Sequence, residues 1–225
     1  MDIEILHQPD SAIAKVSLDP GEEVVAQAGA MVAMSGDMET DTTLRKGKGG
    51  GIMGGLKRML AGESLFLSLF RPKDRPAEVL LAPKLMGDII IYEIETQELV
   101  VQASSYLACA SGVDIELGFT GFKSVFSGES IFWLVISGSG PVILTSFGGI
   151  YEIFVDGEYI VDTGHIVAFE KSLDYQITKP GSSWLGAFLG GEGLVCKFVG
   201  RGKLYCQTHS PAAFGQLIGP LLPPR

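Results

Sequence analysis

The sequence predicts an all-β protein, a sandwich or a barrel, built from three copies of one β unit with pseudo-threefold symmetry and only short helical turns. Three observations predict it. Three segments align without gaps: EVVAQAGAMVAMSGDME from Glu23, ELVVQASSYLACASGVD from Glu98 and EYIVDTGHIVAFEKSLD from Glu158. A second block recurs after each of them. The apolar runs are short, rich in β-branched and aromatic residues, and bounded by Gly and Pro, which is strand punctuation.

The aligned segments share more than composition. Ala33, Ala108 and Ala168 coincide, as do Val25, Val100 and Ile160, and Val32, Leu107 and Val167. Gln27, Gln102 and Asp162 are polar together. The second block reads AGESLF from Ala61, SGESIF from Ser127 and GGEGLV from Gly190. Each is followed by an apolar run, a polar turn (RPKDRP, SGSGP, GRG) and another run, which the spacing predicts to be a hairpin. Internal repetition of this kind places the chain, residues 1–225, in one domain of three units. The units span about 12–87, 88–147 and 148–208, and the tail, 209–225, ends in LIGPLLPPR and is predicted to be extended.

Between the two blocks lies a helical turn in every copy. Leu56, Met59 and Leu60 fall at i, i+3 and i+4, as do Phe122, Val125 and Phe126, and Leu185, Phe188 and Leu189. A glycine follows each turn, suited to a left-handed cap. In the first copy these glycines also spell Gly49-x-Gly51-x-x-Gly54. A dinucleotide loop needs that spacing between a strand and a full helix of a βαβ unit, and here a short turn leads into another strand. The spacing is absent from the other two copies, so no nucleotide site is assigned.

Charge and cysteine content narrow the functional classes. Lys and Arg number 17 against 26 Asp and Glu, an acidic balance that disfavours a phosphate-tracking surface and excludes nucleic acid as the expected partner. Cys109, Cys196 and Cys206 are too few for a disulfide framework and read as buried, reduced thiols of a cytoplasmic protein. The opening MDIEILHQPD has no signal-peptide pattern. Ile131–Tyr151 is uncharged and long enough to cross a bilayer, but Gly138, Gly140, Pro141, Gly148 and Gly149 divide it into two strands and a turn.

Catalytic and metal chemistry find little support. A cupin-type metal site needs clustered His and carboxylate ligands, and His7, His165 and His209 are scattered. Ser64 and Ser130 lack a nucleophile elbow. Glu63, Glu129 and Glu192 recur after the cap glycines; they read as strand-starting residues, with a cation held on a threefold axis as the sharper alternative. No cofactor, metal or catalytic residue is assigned.

The threefold Glu-led openings, the Gly-rich turn ending in Gly-Glu-Ser and the aromatic run after it resemble the AIM-twenty-four family (altered inheritance of mitochondria), over about Ile3 to Pro211. The resemblance implies a TRAP-like fold, related to double-stranded β-helices, with three β-sandwich repeats arranged as a prism. It implies homo-oligomers. It brings no catalytic residues, and it links mitochondrial members to inner-membrane organisation. The RNA binding behind the TRAP name does not carry over to so acidic a chain.

The expected function is therefore a non-enzymatic, oligomeric scaffold with an unknown protein partner, cytoplasmic and peripheral to a membrane surface. Ile52, Met53, Leu56, Met59, Phe119, Phe122, Phe126, Trp184, Leu185 and Phe188 are the candidate interaction surface, rimmed by Lys57, Arg58 and Lys123. The competing reading of these turns is a plug at the prism's end or a subunit contact. The alternative function is a small-molecule or metal-binding β protein, an enzyme included.

Overall fold

Short apolar runs between glycines become short antiparallel strands. A computed structural model describes residues 1–43, 67–118, 132–178 and 194–223. The strands are β1 (Asp2–Leu6), β2 (Ile13–Leu18), β3 (Val24–Gln27), β4 (Met31–Met34), β5 (Met38–Thr43), β6 (Leu67–Pro72), β7 (Ala77–Leu81), β8 (Ile89–Ile94), β9 (Leu99–Gln102), β10 (Tyr106–Ala110) and β11 (Val113–Leu117). They continue with β12 (Trp133–Gly138), β13 (Gly140–Thr145), β14 (Ile150–Asp162), β15 (Ile166–Glu170), β16 (Asp174–Thr178) and β17 (Val195–Gln207), and α1 (Pro211–Ile218) follows. The protein is all-β. No helix among the described residues is long and apolar enough to cross a membrane, and the uncharged stretch that reaches Tyr151 holds β12 and β13.

One pairing rule operates three times. Six strand positions make a unit: the first pairs the sixth, the third pairs the sixth, the second pairs the fifth and the fourth pairs the fifth. β2 to β7 fill these positions in the first set, and β8 to β13 in the second. In the third set the two halves of β14 are the first and second positions, β15 and β16 the third and fourth, and the two halves of β17 the fifth and sixth. Even the irregularity recurs. The third strand carries a register shift between Met31 and Ala33, between Tyr106 and Ala108, and between Ile166 and Ala168. A bulge in one strand adds one unopposed residue, and here it falls in the column of Val32, Leu107 and Val167.

Units join edge to edge. β3 pairs β10, matching Ala26 with Ala108, Val25 with Cys109 and Val24 with Ala110. β9 pairs β15 in the same register, matching Val101 with Ala168, Val100 with Phe169 and Leu99 with Glu170. The Tyr106 hydroxyl donates to the Val25 carbonyl at 2.7 Å, pinning the first of these junctions from inside. Glu98 and Lys171 form an ion pair beside the second.

Alternation along the strands sends one face inward, so each sandwich has its own apolar cluster. Ala14, Val16, Val79 and Leu81 pack with Leu107 and Ile143. Leu99, Val101, Tyr106, Leu134 and Ile136 form a second cluster. Trp133, Phe169 and Phe198 anchor the third, with Phe169 set edge-on to Trp133 at 5.4 Å and to Phe198 at 5.0 Å. Burying each such side chain contributes about 1.5–3 kcal/mol, and edge-on aromatic pairs add about 0.5–1.5 kcal/mol.

Three local expectations are corrected. The runs flanking RPKDRP and SGSGP are not hairpins, because β6 and β7 lie in different sheets, as do β12 and β13. These segments are corners. Gly138 (φ +101°) and Gly140 (φ +127°) supply the backbone freedom to leave one sheet for the next. At GRG the chain does not turn: β17 runs straight through, and its Gly200 (φ +130°) faces Gly157 (φ +112°) of β14. The tail is not extended throughout. Ser210 caps α1 by accepting from the Ala213 N–H at 3.4 Å, and Pro211, whose lack of an N–H costs nothing in a first turn, starts it. Last, the third copy is one residue out of the ungapped second-block alignment. Leu67 and Trp133 face Gln27 and Gln102, but Val195, in the column of Phe66 and Phe132, faces Asp162.

Candidate functional site

The sequence-derived surface, Ile52, Met53, Leu56, Met59, Phe119, Phe122, Phe126, Trp184, Leu185 and Phe188, lies outside the described residues, as do Glu63, Glu129 and Glu192. Their segments run between β5 and β6, β11 and β12, and β16 and β17, the fourth and fifth positions of each unit.

The histidines do not converge. His7 is exposed. His165 Nδ1 lies 2.8 Å from the Gln207 carbonyl, and His209 Nδ1 lies 2.8 Å from Thr208 Oγ1. Among the described residues no three His, Cys, Asp or Glu side chains are grouped to hold a metal. Cys109, Cys196 and Cys206 are buried and none is in a disulfide, and burial pushes the thiols of Cys196 and Cys206 up to about 12.

A polar groove of about 570 Å³ crosses the contact of the second and third units. Tyr92 donates to Glu170 Oε1 at 3.3 Å, and Tyr205 donates to Glu152 Oε2 at 3.0 Å. Lys203 pairs with Glu152 at 3.1 Å, and its backbone N–H donates to Glu170 Oε2 at 2.9 Å. Burial first, then the Glu170 carboxylate, pushes the Tyr92 phenol up to about 12; Tyr205 is raised by burial and by Glu152. Both carboxylates are thus spent on neighbours within the chain. The groove is a polar seam between units, with Glu152 and Glu170 already hydrogen-bonded across it.

A different feature stands open. Two junctions join three units, so one second-position strand and one third-position strand remain over. They are the Glu158–Asp162 half of β14 and β4. Among the described residues β4 pairs only β7, and that half of β14 pairs only β17. Exposure follows. Val32 is 56% exposed, whereas Leu107 and Val167 in the same column are fully buried. Ile160 is 56% exposed, whereas Val25 and Val100 in its column are 3% and 5% exposed. Met31, Met34 and Tyr159 are exposed as well. β4 is uncharged, the half of β14 carries Glu158 and Asp162 at its ends, and each strand's bare row of N–H and C=O groups is a template for another strand.

Sequence reasoning missed these edges. MVAM, YLACA and IVAFE are apolar apart from Glu170, so composition does not single out the open strand from the two paired ones. The signal available was arithmetic: three copies in a row make two joints and leave two ends.

A triplicated antiparallel β chain whose units join by strand edges is the class of protein these features define. The chain matches the family described as "Mitochondrial biogenesis AIM24" over residues 3–209, and it belongs to that family. It is 28% identical over 218 residues to an uncharacterised protein of Streptococcus pyogenes serotype M6, covering 94% of this chain and 87% of that protein. It is also similar to a crystal structure of a Streptococcus pyogenes protein, with a TM-score of 0.81, 25% identity, and coverage of 98% of this chain and 99% of that one.

Proposed function

We propose that this chain is a non-enzymatic scaffold that works by surface contact. The observation that carries the reading is the pair of open strand edges on β4 and β14 with their exposed apolar side chains, since a bare edge is a template for pairing and an exposed apolar patch marks a contact site. Contact with a membrane surface, from a cytoplasmic position, belongs to the same reading. It is supported by the sequence pattern of aromatic and aliphatic turns around Leu56, Phe122 and Trp184 with Lys57, Arg58 and Lys123 beside them. The runner-up is a small-molecule or metal-binding protein, whose ligand would have to break the Tyr92–Glu170 and Tyr205–Glu152 bonds to enter the groove.

Native mass spectrometry and elemental analysis of the purified protein test the scaffold, with polypeptide mass alone as the expected result. A stoichiometric transition metal or bound small molecule would overturn it. Co-flotation with anionic vesicles tests the membrane contact. Wild-type protein is expected to float, and a triple variant, Leu56→Ser, Phe122→Ser and Trp184→Ser, to stay down with unchanged circular dichroism. Wild-type protein that stays down removes the membrane from the reading.

A further inference from the structure

We infer that the cavity where the three units meet is a binding site for a small carboxylate carried on an apolar body. The inference goes beyond the scaffold reading and does not rest on it. The cavity holds about 480 Å³, inside the size range of small-molecule sites. It is bounded by the end of β3, the turn between β9 and β10, the start of β12, and the ends of β13 and β17, so every unit contributes a wall. Its apolar surface comes from Leu85, Phe132, Leu134 and Phe147. Phe147 is held edge-on by Phe214 of α1 at 5.3 Å, and Pro211 at the start of that helix lines the same cavity.

Several polar groups on the wall are already engaged. The Thr145 hydroxyl donates to the Asp88 carbonyl at 3.2 Å, and the Ser146 hydroxyl to the Gly148 carbonyl at 2.7 Å. The Gln207 side-chain amide accepts from the Phe147 N–H and donates to the Gly164 carbonyl, both at 2.8 Å. Three groups remain unused. Ser105 is 3% exposed and lines the cavity, yet its hydroxyl makes no hydrogen bond among the described residues. The side-chain amide of Gln27 makes none either, and the exposed ammonium of Lys84 has no carboxylate partner among them. A buried hydroxyl without a partner costs free energy that a ligand atom would recover. The unused hydroxyl is peculiar to this corner of the repeat. Its column holds Ala30 in the first unit and His165 in the third, and His165 Nδ1 already meets the Gln207 carbonyl.

Charge selects the ligand. The chain carries 26 Asp and Glu against 17 Lys and Arg, yet among the described residues no carboxylate lines this cavity, and Lys84 is its one charged side chain. An ammonium, a hydroxyl and an amide N–H are all donors, so the group they receive is a negatively charged acceptor. One cation matches a singly charged carboxylate better than a doubly charged phosphate, and a hydrocarbon body fills the apolar walls that a free anion would leave empty. The occupant meets one exposed cation and one buried hydroxyl, so it exchanges with solvent, and desalted protein keeps polypeptide mass alone.

Octanoate is the probe, titrated into the full chain by isothermal calorimetry, with octan-1-ol and inorganic phosphate as the two halves of its chemistry. Octanoate is expected to bind once per chain, about tenfold tighter than octan-1-ol, and phosphate to give no saturable heat. Ser105→Ala is expected to weaken octanoate about tenfold, because it removes a desolvated bond to a charged group. Lys84→Met is expected to weaken it about threefold, because an exposed ion pair contributes little, and to leave octan-1-ol unchanged. Circular dichroism checks folding, and the exposed Lys84 keeps the test open if Ser105→Ala does not fold. Octanoate without saturable heat overturns the inference. Octan-1-ol that binds as tightly as octanoate overturns it, because the donors then select nothing. Phosphate that binds as tightly overturns it as well, because the walls then contribute nothing. Octanoate affinity unchanged in the folded variants places the binding elsewhere and overturns it too. The scaffold reading is judged separately, by whether a molecule is retained through purification.

Discussion

Individual buried groups set the chain's response to alkali. The thiols of Cys196 and Cys206 rise from 9.0 to about 12 because burial disfavours the thiolate, and the Tyr92 phenol rises from 10.0 to about 12 for the same reason, reinforced by Glu170. Tyr205 is raised too, by burial and then Glu152, and so are the partly exposed Tyr151 and Tyr175, by the share of each ring that the fold covers. All six are acids whose neutral form the fold protects. The unfolded chain releases these protons first as pH rises, so it is the unfolded state that gains. The contribution to stability is complete below pH 9, and it is lost as the pH climbs toward 12. The melting temperature, followed by circular dichroism, is expected to hold level from pH 7 to about 8.5 and to fall from pH 9 upward. A melting temperature unchanged at pH 11 would show that these groups are open to solvent. The raised thiols also account for their expected inertness to alkylation at neutral pH, because the thiolate is the reactive form.

Elements are where sequence and structure part company. The repeat columns located the strands well: Ala33, Ala108 and Ala168 do share one position, including the bulge beside it. They did not say which strands pair. SGSGP looks like a hairpin turn because Gly and Pro signal a change of direction, and the direction changes, but into another sheet. Local sequence encodes the bend, while the partner is chosen by a strand far along the chain. Similarly, Pro in LIGPLLPPR argued for extension, and the deciding signal was the earlier pair Ser210-Pro211, a cap and a first-turn proline. The corner makes a sharp mutational contrast. Gly21 and Gly138 have nearly the same φ, +96° and +101°. A Cβ on Gly21 meets open space, whereas on Gly138 it would fall inside contact with the Gly112 carbonyl oxygen. Gly21→Ala is expected to cost only the backbone strain, about 1 kcal/mol. Gly138→Ala adds a clash in the corner itself and is expected to cost at least about 3 kcal/mol. At about 2–4 °C per kcal/mol for a chain of this size, thermal melts separate the two easily, and equal losses would mean that the corner yields.

At the scale of the whole molecule the chain is an unfinished series. Each internal junction is a strand pair that the neighbouring unit completes, and such arrays take much of their stability from nearest-neighbour contacts. The first and third units each lack one neighbour, and the apolar residues at the bare edges show where it would sit. Stability should therefore depend on concentration. A partner that binds only the folded state adds RT ln(1 + [L]/Kd), about 2.7 kcal/mol at a hundredfold excess over Kd, and a second copy of the chain seated on these edges would add it in the same way. The melting temperature of the wild type is expected to rise by several degrees over a hundredfold increase in concentration. Met34→Lys and Ile160→Lys are each expected to melt at one temperature throughout, equal to the dilute limit of the wild type. The equality matters as much as the slope. A variant that melts below that limit has damaged its own fold, whereas one that melts at it has lost only a neighbour. Differential scanning calorimetry at matched concentrations reads both, and a wild-type melting temperature independent of concentration would mean that the chain completes its series alone.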